Sequence, residues 1–141
     1  THVSTTDLDR VLASLDPQPS GTYVFSLVNE IPQGVDFFAV IRDEDGYTVV
    51  VEQEIAREAG INADELYTRI DLGSSTELAA IGITASIAQI LAARSITANL
   101  FSLIAPKRPA LCLRILAVAQ RAGCLPEIHF SDTRTRVFGL K

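Results

Sequence analysis

The residues with the clearest chemical potential lie where a strand-like segment turns directly into a long apolar one. Leu66 to Leu72 (LYTRIDL) predicts a strand, and Gly73-Ser-Ser-Thr-Glu77 follows it at once. A strand that ends in small hydroxyl residues and opens into a helix presents backbone N–H groups at the positive end of the helix dipole. Such a turn suits a carboxylate, so it is a candidate ligand site.

The same turn also has a purely structural interpretation. Ser74 and Glu77 have the S-x-x-E spacing of a capping box, which satisfies two otherwise unpaired backbone amides at the start of a helix. Every helix needs its first amides satisfied, so capping alone explains these residue types. Both interpretations remain open from the sequence.

Other candidate motifs are weaker. Asp43-Glu-Asp-Gly46 offers oxygen ligands for calcium, but the remaining ligands of an EF-hand loop are missing, and a solvated hairpin tip is favoured. His129, Ser131 and Asp132 lie close in sequence, whereas catalytic triads are assembled by geometry from separate elements. The sequence has no GxSxG motif, P-loop or metal-ligand cluster. We therefore expect no enzymatic activity, no metal and no cofactor.

The elements that must position the turn follow from residue patterns. Leu8, Val11, Leu12 and Leu15 share one face of a short helix, and Gly60 is placed to end another. The predicted helices are residues 7–15, 52–59 and 78–94, and the predicted strands are residues 22–28, 37–42, 47–51, 66–72 and 96–104, of which the second and third form a hairpin.

The C-terminal part of the chain is harder to interpret. Pro109 to Ala122 favours a helix, with Pro near its first position and Gly123 just past its end. The same stretch, LCLRILAV, is also consistent with a buried strand, and periodicity does not separate the two. The IHF and TRVFGL segments beyond it are further strand candidates.

Composition and charge narrow the class of protein. With 141 residues, 48% of them hydrophobic, the chain suits one hydrophobic core. Residues 1–104 carry five Arg against fifteen acids, and residues 105–141 carry seven basic residues against two acids. An acidic body argues against nucleic acid as a partner. No apolar run approaches the about 20 residues of a membrane span. The first residues lack a secretion signal and only two cysteines occur, so we expect no membrane association and a cytoplasmic location.

Three blocks carry a resemblance to a known family. They are Phe38 to Val51, Ile70 to Ala85, and Ile96 to Leu100. In order and spacing they resemble the ACT-domain proteins of a bacterial group similar to arginine-sensing CASTOR proteins and aspartate-kinase regulatory domains. The resemblance covers about residues 8–101. Two departures occur: Ser75, Thr76 and Glu77 stand where the family has a His and two Ser, and residues 105–141 replace the expected hairpin and closing strand.

The resemblance implies a fold and a function. It implies an α+β, ferredoxin-like ACT-type sandwich, an antiparallel sheet with helices packed on one face, with two ACT-like halves as an open alternative. We expect one domain over residues 1–141, with a family-like core at 22–104 and a divergent tail at 105–141. The implied function is regulatory binding of an amino acid by a homodimer, and the alternative is an oligomerisation protein that has lost its ligand. The implied ligand-binding residues, some contributed across the dimer interface, are Ser74, Ser75, Thr76, Gly82, Ile83, Thr84 and Asn99.

Overall fold

The chain alternates helices and strands that build one antiparallel sheet. A computed structural model describes residues 5–63, 65–75, 82–104 and 111–118. The helices of this part are α1 (Thr5–Ser14), α2 (Gln53–Ala59) and α3 (Ile83–Ala93), and its strands are β1 (Gln18–Val28), β2 (Ala39–Asp43), β3 (Gly46–Glu52), β4 (Tyr67–Ser75), β5 (Ala98–Ile104) and β6 (Leu111–Val118). The strand order is β2-β3-β1-β4-β6-β5, with every neighbouring pair antiparallel.

The sheet divides into two halves with the same internal order. Strand β3 joins the β2–β3 hairpin to β1, and β6 joins the β5–β6 pair to β4. Strands β1 and β4 pair at the centre, where Tyr23 lies opposite Tyr67. The order β2-β3-β1-β4 is ferredoxin-like, and so is β5-β6-β4-β1. Each half therefore uses the central strand of the other to complete its sheet, and the predicted ferredoxin-like α+β fold is confirmed.

One face of the sheet, the helix face, carries the helices. Successive side chains of a strand point to opposite faces, so Val24 and Ile70 lie on the face away from Tyr23 and Tyr67. Helix α2 contributes Ala56 to a cluster with Val24 and Val51. Helices α1 and α3 pack together over the second half, where the buried residues are Val11, Leu12, Ile70, Leu72, Ile83, Ile87, Ile90, Leu91, Ile96, Leu113 and Ile115.

The opposite face is concave and lined with aromatic side chains. Strands β1 and β5 are separated by β4 and β6, a distance of about 14 Å across a flat sheet. The ring centroids of Phe25 on β1 and Phe101 on β5 are nevertheless only 6.5 Å apart. The sheet therefore curls around this face, which we call the concave face. The side chains of Val50 and Leu116, both fully buried, also lie on the concave face.

Local turn chemistry predicted several elements correctly. The hairpin predicted around Asp43 to Gly46 is β2–β3, and the helix predicted at residues 52–59 is α2. Gly60 ends α2 in the left-handed conformation, with φ of 72°, and its N–H bonds the carbonyl oxygen of Arg57. Strand β1 begins at Gln18, earlier than predicted, and a bulge between Pro19 and Thr22 accommodates the early residues.

The helix predicted over Pro109 to Ala122 is wrong, because residues 111–118 form the strand β6. This strand lies between β4 and β5 and has backbone partners on both sides. Leu113 and Ile115 face the helices, and Leu116 faces the other side, so apolar residues are needed on both faces. A strand buried on both faces has the continuous apolar sequence that periodicity could not distinguish from a helix. The candidate strands after it lie outside the described residues.

The predicted start of the third helix also needs correction. Helix α3 begins at Ile83, and its N-cap is Gly82 in a left-handed conformation with φ of 94° and no side-chain cap. Ser74 is still part of β4, paired with Cys112, so it does not cap α3. Glu77 and Leu78 lie outside the described residues. No helix in the described part of the chain is long and apolar enough to cross a membrane.

Candidate ligand site on the concave face

Arg69 is the central charged residue of the concave face. It lies in β4 two residues from Asp71, so both side chains emerge on the same face. Arg69 Nε donates to Asp71 Oδ1 at 2.9 Å, and Arg69 Nη1 donates to Tyr23 Oη at 3.1 Å. The guanidinium carbon is 4.7 Å from the ring centroid of Phe38, within the range of a cation–π interaction. Contacts from β1, from β4 itself and from the segment before β2 therefore hold this one cation.

The charge state of Arg69 follows from these contacts. Burial alone lowers the pKa of the guanidinium, but the hydrogen bonds and charges of Asp71 and Tyr23 outweigh burial and raise the pKa above its ordinary value. Arg69 is therefore a permanent cation and a ready donor to an anionic ligand group.

Asp71 is shared with a second arginine. Arg114 on β6 lies opposite Asp71 in the strand register, and its Nε is 3.0 Å from Asp71 Oδ1. This contact is an ion pair by distance, yet its angle is too poor for a hydrogen bond, and the buried Nε has no aligned acceptor among the described residues. Arg114 Nη1 instead donates to the carbonyl oxygen of Leu113 at 3.1 Å. One carboxylate thus holds two guanidinium groups.

Aromatic rings cover this charged group. Phe38 lies 5.8 Å from Tyr23 and 5.3 Å from Phe101, in edge-to-face geometry with both. Phe25 lies 4.6 Å from Tyr67. Rings at these separations attract one another and exclude water from their surroundings. The electrostatic interactions of Arg69 are therefore stronger than they would be on an open surface.

A cavity of about 290 Å³ opens beside Arg69. It lies between the central strands, the residues before β2 and the junction of β3 with α2. Its lining combines a cation, two carboxylates and apolar rings, contributed by Tyr23, Asp36, Phe37, Phe38, Glu52, Ile55 and Arg69. Ligand sites are typically concave, mostly apolar and equipped with a few polar groups, with volumes from about 300 Å³. This cavity has the size and the chemistry for a small charged molecule.

A second cavity of about 290 Å³ lies beside α2 near Gly60. Its charged lining residue is Arg57, which already forms an exposed pair with Glu54 at 2.8 Å. The wall otherwise consists of uncharged residues such as Val24 and Leu66. It offers no fixed pair of opposite charges, so the cavity beside Arg69 is the better candidate.

The site residues predicted from the sequence lie in several places. Ser74 and Ser75 are the last residues of β4, opposite Cys112 and Leu111, and Gly82 and Ile83 start α3. Ile83 is buried in the core between α3 and the helix face of the sheet, whereas Thr84 is exposed. Thr76 lies outside the described residues.

Asn99 is distant from those residues within one chain. It lies on the concave face opposite Leu116 of β6. Ser75 pairs with Leu111 of β6, and Leu111 pairs in turn with Ile104, so Ser75 is level with the other end of β5. Asn99 and Ile104 are five positions apart along the strand, about 17 Å. The prediction placed part of this site across a dimer interface, so the grouping stays a prediction.

Sequence reasoning missed the residues around the Arg69 cavity. The spacing of Arg69 and Asp71 in a predicted strand was a usable indication, because it places opposite charges side by side on one face. Asp36 and Glu52 gave no comparable indication, since they reach the cavity from different elements.

Comparisons with known proteins cover most of the chain. The family model for the ACT domain matches residues 4–68, which contain all the lining residues of the cavity except Arg69. A solved structure from Vibrio cholerae, a protein of unknown function described as a possible transport protein, is 30% identical. The similarity covers 84% of this chain and 88% of that one, with a TM-score of 0.65. No match is found among the curated proteins.

Proposed function

Because the family model for the ACT domain matches residues 4–68, we propose that the chain is an ACT-domain protein, that it acts as a regulatory, non-catalytic module and that its ligand is an amino acid. ACT domains are generally regulatory modules that bind small molecules. The observation that carries the proposal is the cavity whose lining includes both the cation Arg69 and the acids Asp36 and Glu52. A free amino acid has both charges in one small molecule and so matches such a lining.

The finer parts of the proposal rest on the sequence. We propose, from the three blocks described above, that the chain belongs to the bacterial group that resembles CASTOR proteins and aspartate-kinase regulatory domains. As in that group, we propose a homodimer. Ser74, Ser75 and Asn99 remain a second proposed location for the ligand, formed between two copies.

A thermal-shift screen against each of the twenty amino acids tests the function. A ligand that binds only the native state stabilises it by about 2.7 kcal/mol at a concentration of 100 Kd. We expect a rise in melting temperature with one amino acid or a few related ones at millimolar concentration. The D-enantiomer of each active amino acid is the matched control. If no amino acid raises the melting temperature, the proposed function is wrong.

One feature favours the oligomerisation alternative. Leu27 and Ile41 are 62% and 48% exposed, and both lie opposite Thr48 in the register, which places them in one row on the concave side of the sheet. An exposed apolar row of this kind is typical of contact surfaces. Sedimentation equilibrium of a Leu27→Ser, Ile41→Thr variant tests this alternative. If the variant dissociates to monomers, and the unaltered protein shows no rise in melting temperature with any amino acid, an oligomerisation role is favoured. Deleting residues 105–141 would be a poor test, because it removes β6 from the middle of the second half.

A further inference from the structure

We propose that the cavity beside Arg69 is the amino-acid site and that it recognises the two ends of the ligand separately. The ligand carboxylate binds Arg69 and Tyr23, the ammonium group binds Asp36 and Glu52, and an apolar side chain packs on Phe37 and Ile55. This inference rests on the proposed function and commits it to one place and one class of ligand.

The carboxylate end is defined by Arg69. A guanidinium has five N–H donors. In the described part of the chain Arg69 donates from Nε to Asp71 and from Nη1 to Tyr23, and the same residue lines the cavity. Because Asp71, Tyr23 and the ring of Phe38 already hold the guanidinium, the Arg69 side chain loses little entropy when it binds a carboxylate. Hydrogen bonds between two charged groups are about twice as strong as neutral ones.

The ammonium end is defined by two carboxylates without cationic partners among the described residues. Glu52 is the last residue of β3 and precedes α2, and its side chain makes no capping hydrogen bond to the helix. Asp36 lies in the segment that leads into β2. Both are exposed, and both line the cavity.

The side-chain preference follows from the remaining lining. Phe37 and Ile55 are half-buried and pack against the core cluster between β1, β3 and α2. They present apolar surface to the cavity, and its volume of about 290 Å³ limits the ligand to roughly the size of a free amino acid. Leucine and its close relatives fit both conditions.

The charge balance of the cavity also excludes simpler ligands. Asp71 already neutralises part of the charge of Arg69, and two further carboxylates line the wall. A carboxylic acid without an ammonium group would be repelled by those two carboxylates. An amine without a carboxylate would form no ion pair with Arg69. Both ends of the ligand are therefore required.

Isothermal titration calorimetry with three probes tests the binding mode. The probes are L-leucine, 4-methylpentanoate, which lacks the ammonium group, and isopentylamine, which lacks the carboxylate. We expect L-leucine to bind, and each of the other two to bind at least tenfold more weakly. If either truncated probe binds as tightly as L-leucine, recognition of two separate ends is wrong.

Variants locate the site. Arg69→Gln and the double variant Asp36→Asn, Glu52→Gln should each weaken L-leucine binding at least tenfold. The double variant changes exposed side chains, so it should fold even if Arg69→Gln does not, and circular dichroism checks both. Arg57→Gln, beside the other cavity, is the matched control and should change the affinity by less than twofold.

The outcomes separate this inference from the proposed function. Loss of binding in Asn99→Ala, with normal binding in the double variant of Asp36 and Glu52, would move the ligand to the predicted dimer site and overturn the cavity. The cavity assignment is also overturned if the screen finds a stabilising amino acid but L-leucine does not bind. If no amino acid binds the unaltered protein, the proposed function itself has failed.

Discussion

Replacing Asp71 by Asn tests the charged centre of the concave face most directly. The change keeps the shape of the side chain and removes the negative charge that Arg69 and Arg114 share. The amide oxygen of Asn still accepts hydrogen bonds, but it carries no negative charge to compensate two cations. We therefore expect the variant to fold with a clearly lower free energy of unfolding.

The magnitude follows from partial burial. The side chains of Arg69, Arg114 and Asp71 are 20%, 18% and 28% exposed. Breaking a fully buried ion pair costs about 3–5 kcal/mol, and an exposed pair contributes about 0–1 kcal/mol. The site lies between these limits, so we expect a loss of about 2 kcal/mol. For a chain of this length that loss lowers the melting temperature by about 7 °C.

Urea denaturation measures the loss, and the chain offers a matched control. Arg57 and Glu54 form a pair at 2.8 Å, shorter than either contact of Asp71, but their side chains are 65% and 63% exposed. Glu54→Gln should cost less than about 0.5 kcal/mol. The m-value should stay unchanged in both variants, since neither alters the surface exposed on unfolding. If Asp71→Asn costs no more than Glu54→Gln, the reasoning from burial is refuted.

Three further predictions concern the backbone, the core and the pH dependence. Gly46→Ala should lower the free energy of unfolding by at least about 2 kcal/mol, because φ is 133° and the new Cβ would lie 2.7 Å from a backbone oxygen. Gly60→Ala should lower it by about 1 kcal/mol, because φ is 72° but the space around the new Cβ is open. Urea denaturation measures both losses. Leu116→Ala should cost about 3 kcal/mol, since the side chain is fully buried, and a loss below about 1 kcal/mol would contradict the assigned burial. Burial raises the pKa of Tyr67 above its usual value of about 10, and the charge and the hydrogen bond of Glu65 raise it further. The resulting stabilisation of the folded state is therefore complete below about pH 10 and is lost as the pH rises through the folded-state pKa. Tyr67→Phe should therefore flatten the stability profile above about pH 10, and an unchanged slope there would count against this assignment.

Turns and helix ends were predictable because their causes are local. The acidic Asp43 to Gly46 turn indicated the hairpin, and Gly60 indicated the end of α2, since in both cases a few adjacent residues determine the backbone conformation. The predicted strands at residues 66–72 and 96–104 were similarly close to β4 and β5.

Strand β6 was not predictable in the same way because its cause is distant in sequence. Residues 111–118 have a helix-compatible pattern, but β4 and β5 offer backbone partners on both sides and the sheet has an apolar layer on each face. Tertiary context of this kind overrides local preference. The Arg69 cavity escaped prediction for a related reason: Asp36 and Glu52 meet Arg69 only because β3 and β4 flank β1.

The internal repeat of the fold does not produce two equal sites. Since Tyr23 and Tyr67 lie opposite each other at the centre of the sheet and correspond in the two halves, the position in β1 that corresponds to Arg69 in β4 is Phe25. Val118, the β6 partner of Tyr67, likewise corresponds to Glu52, the β3 partner of Tyr23. The second half thus lacks the charges at both corresponding positions, so the cavity chemistry implies one ligand per chain, a stoichiometry that calorimetry reads directly.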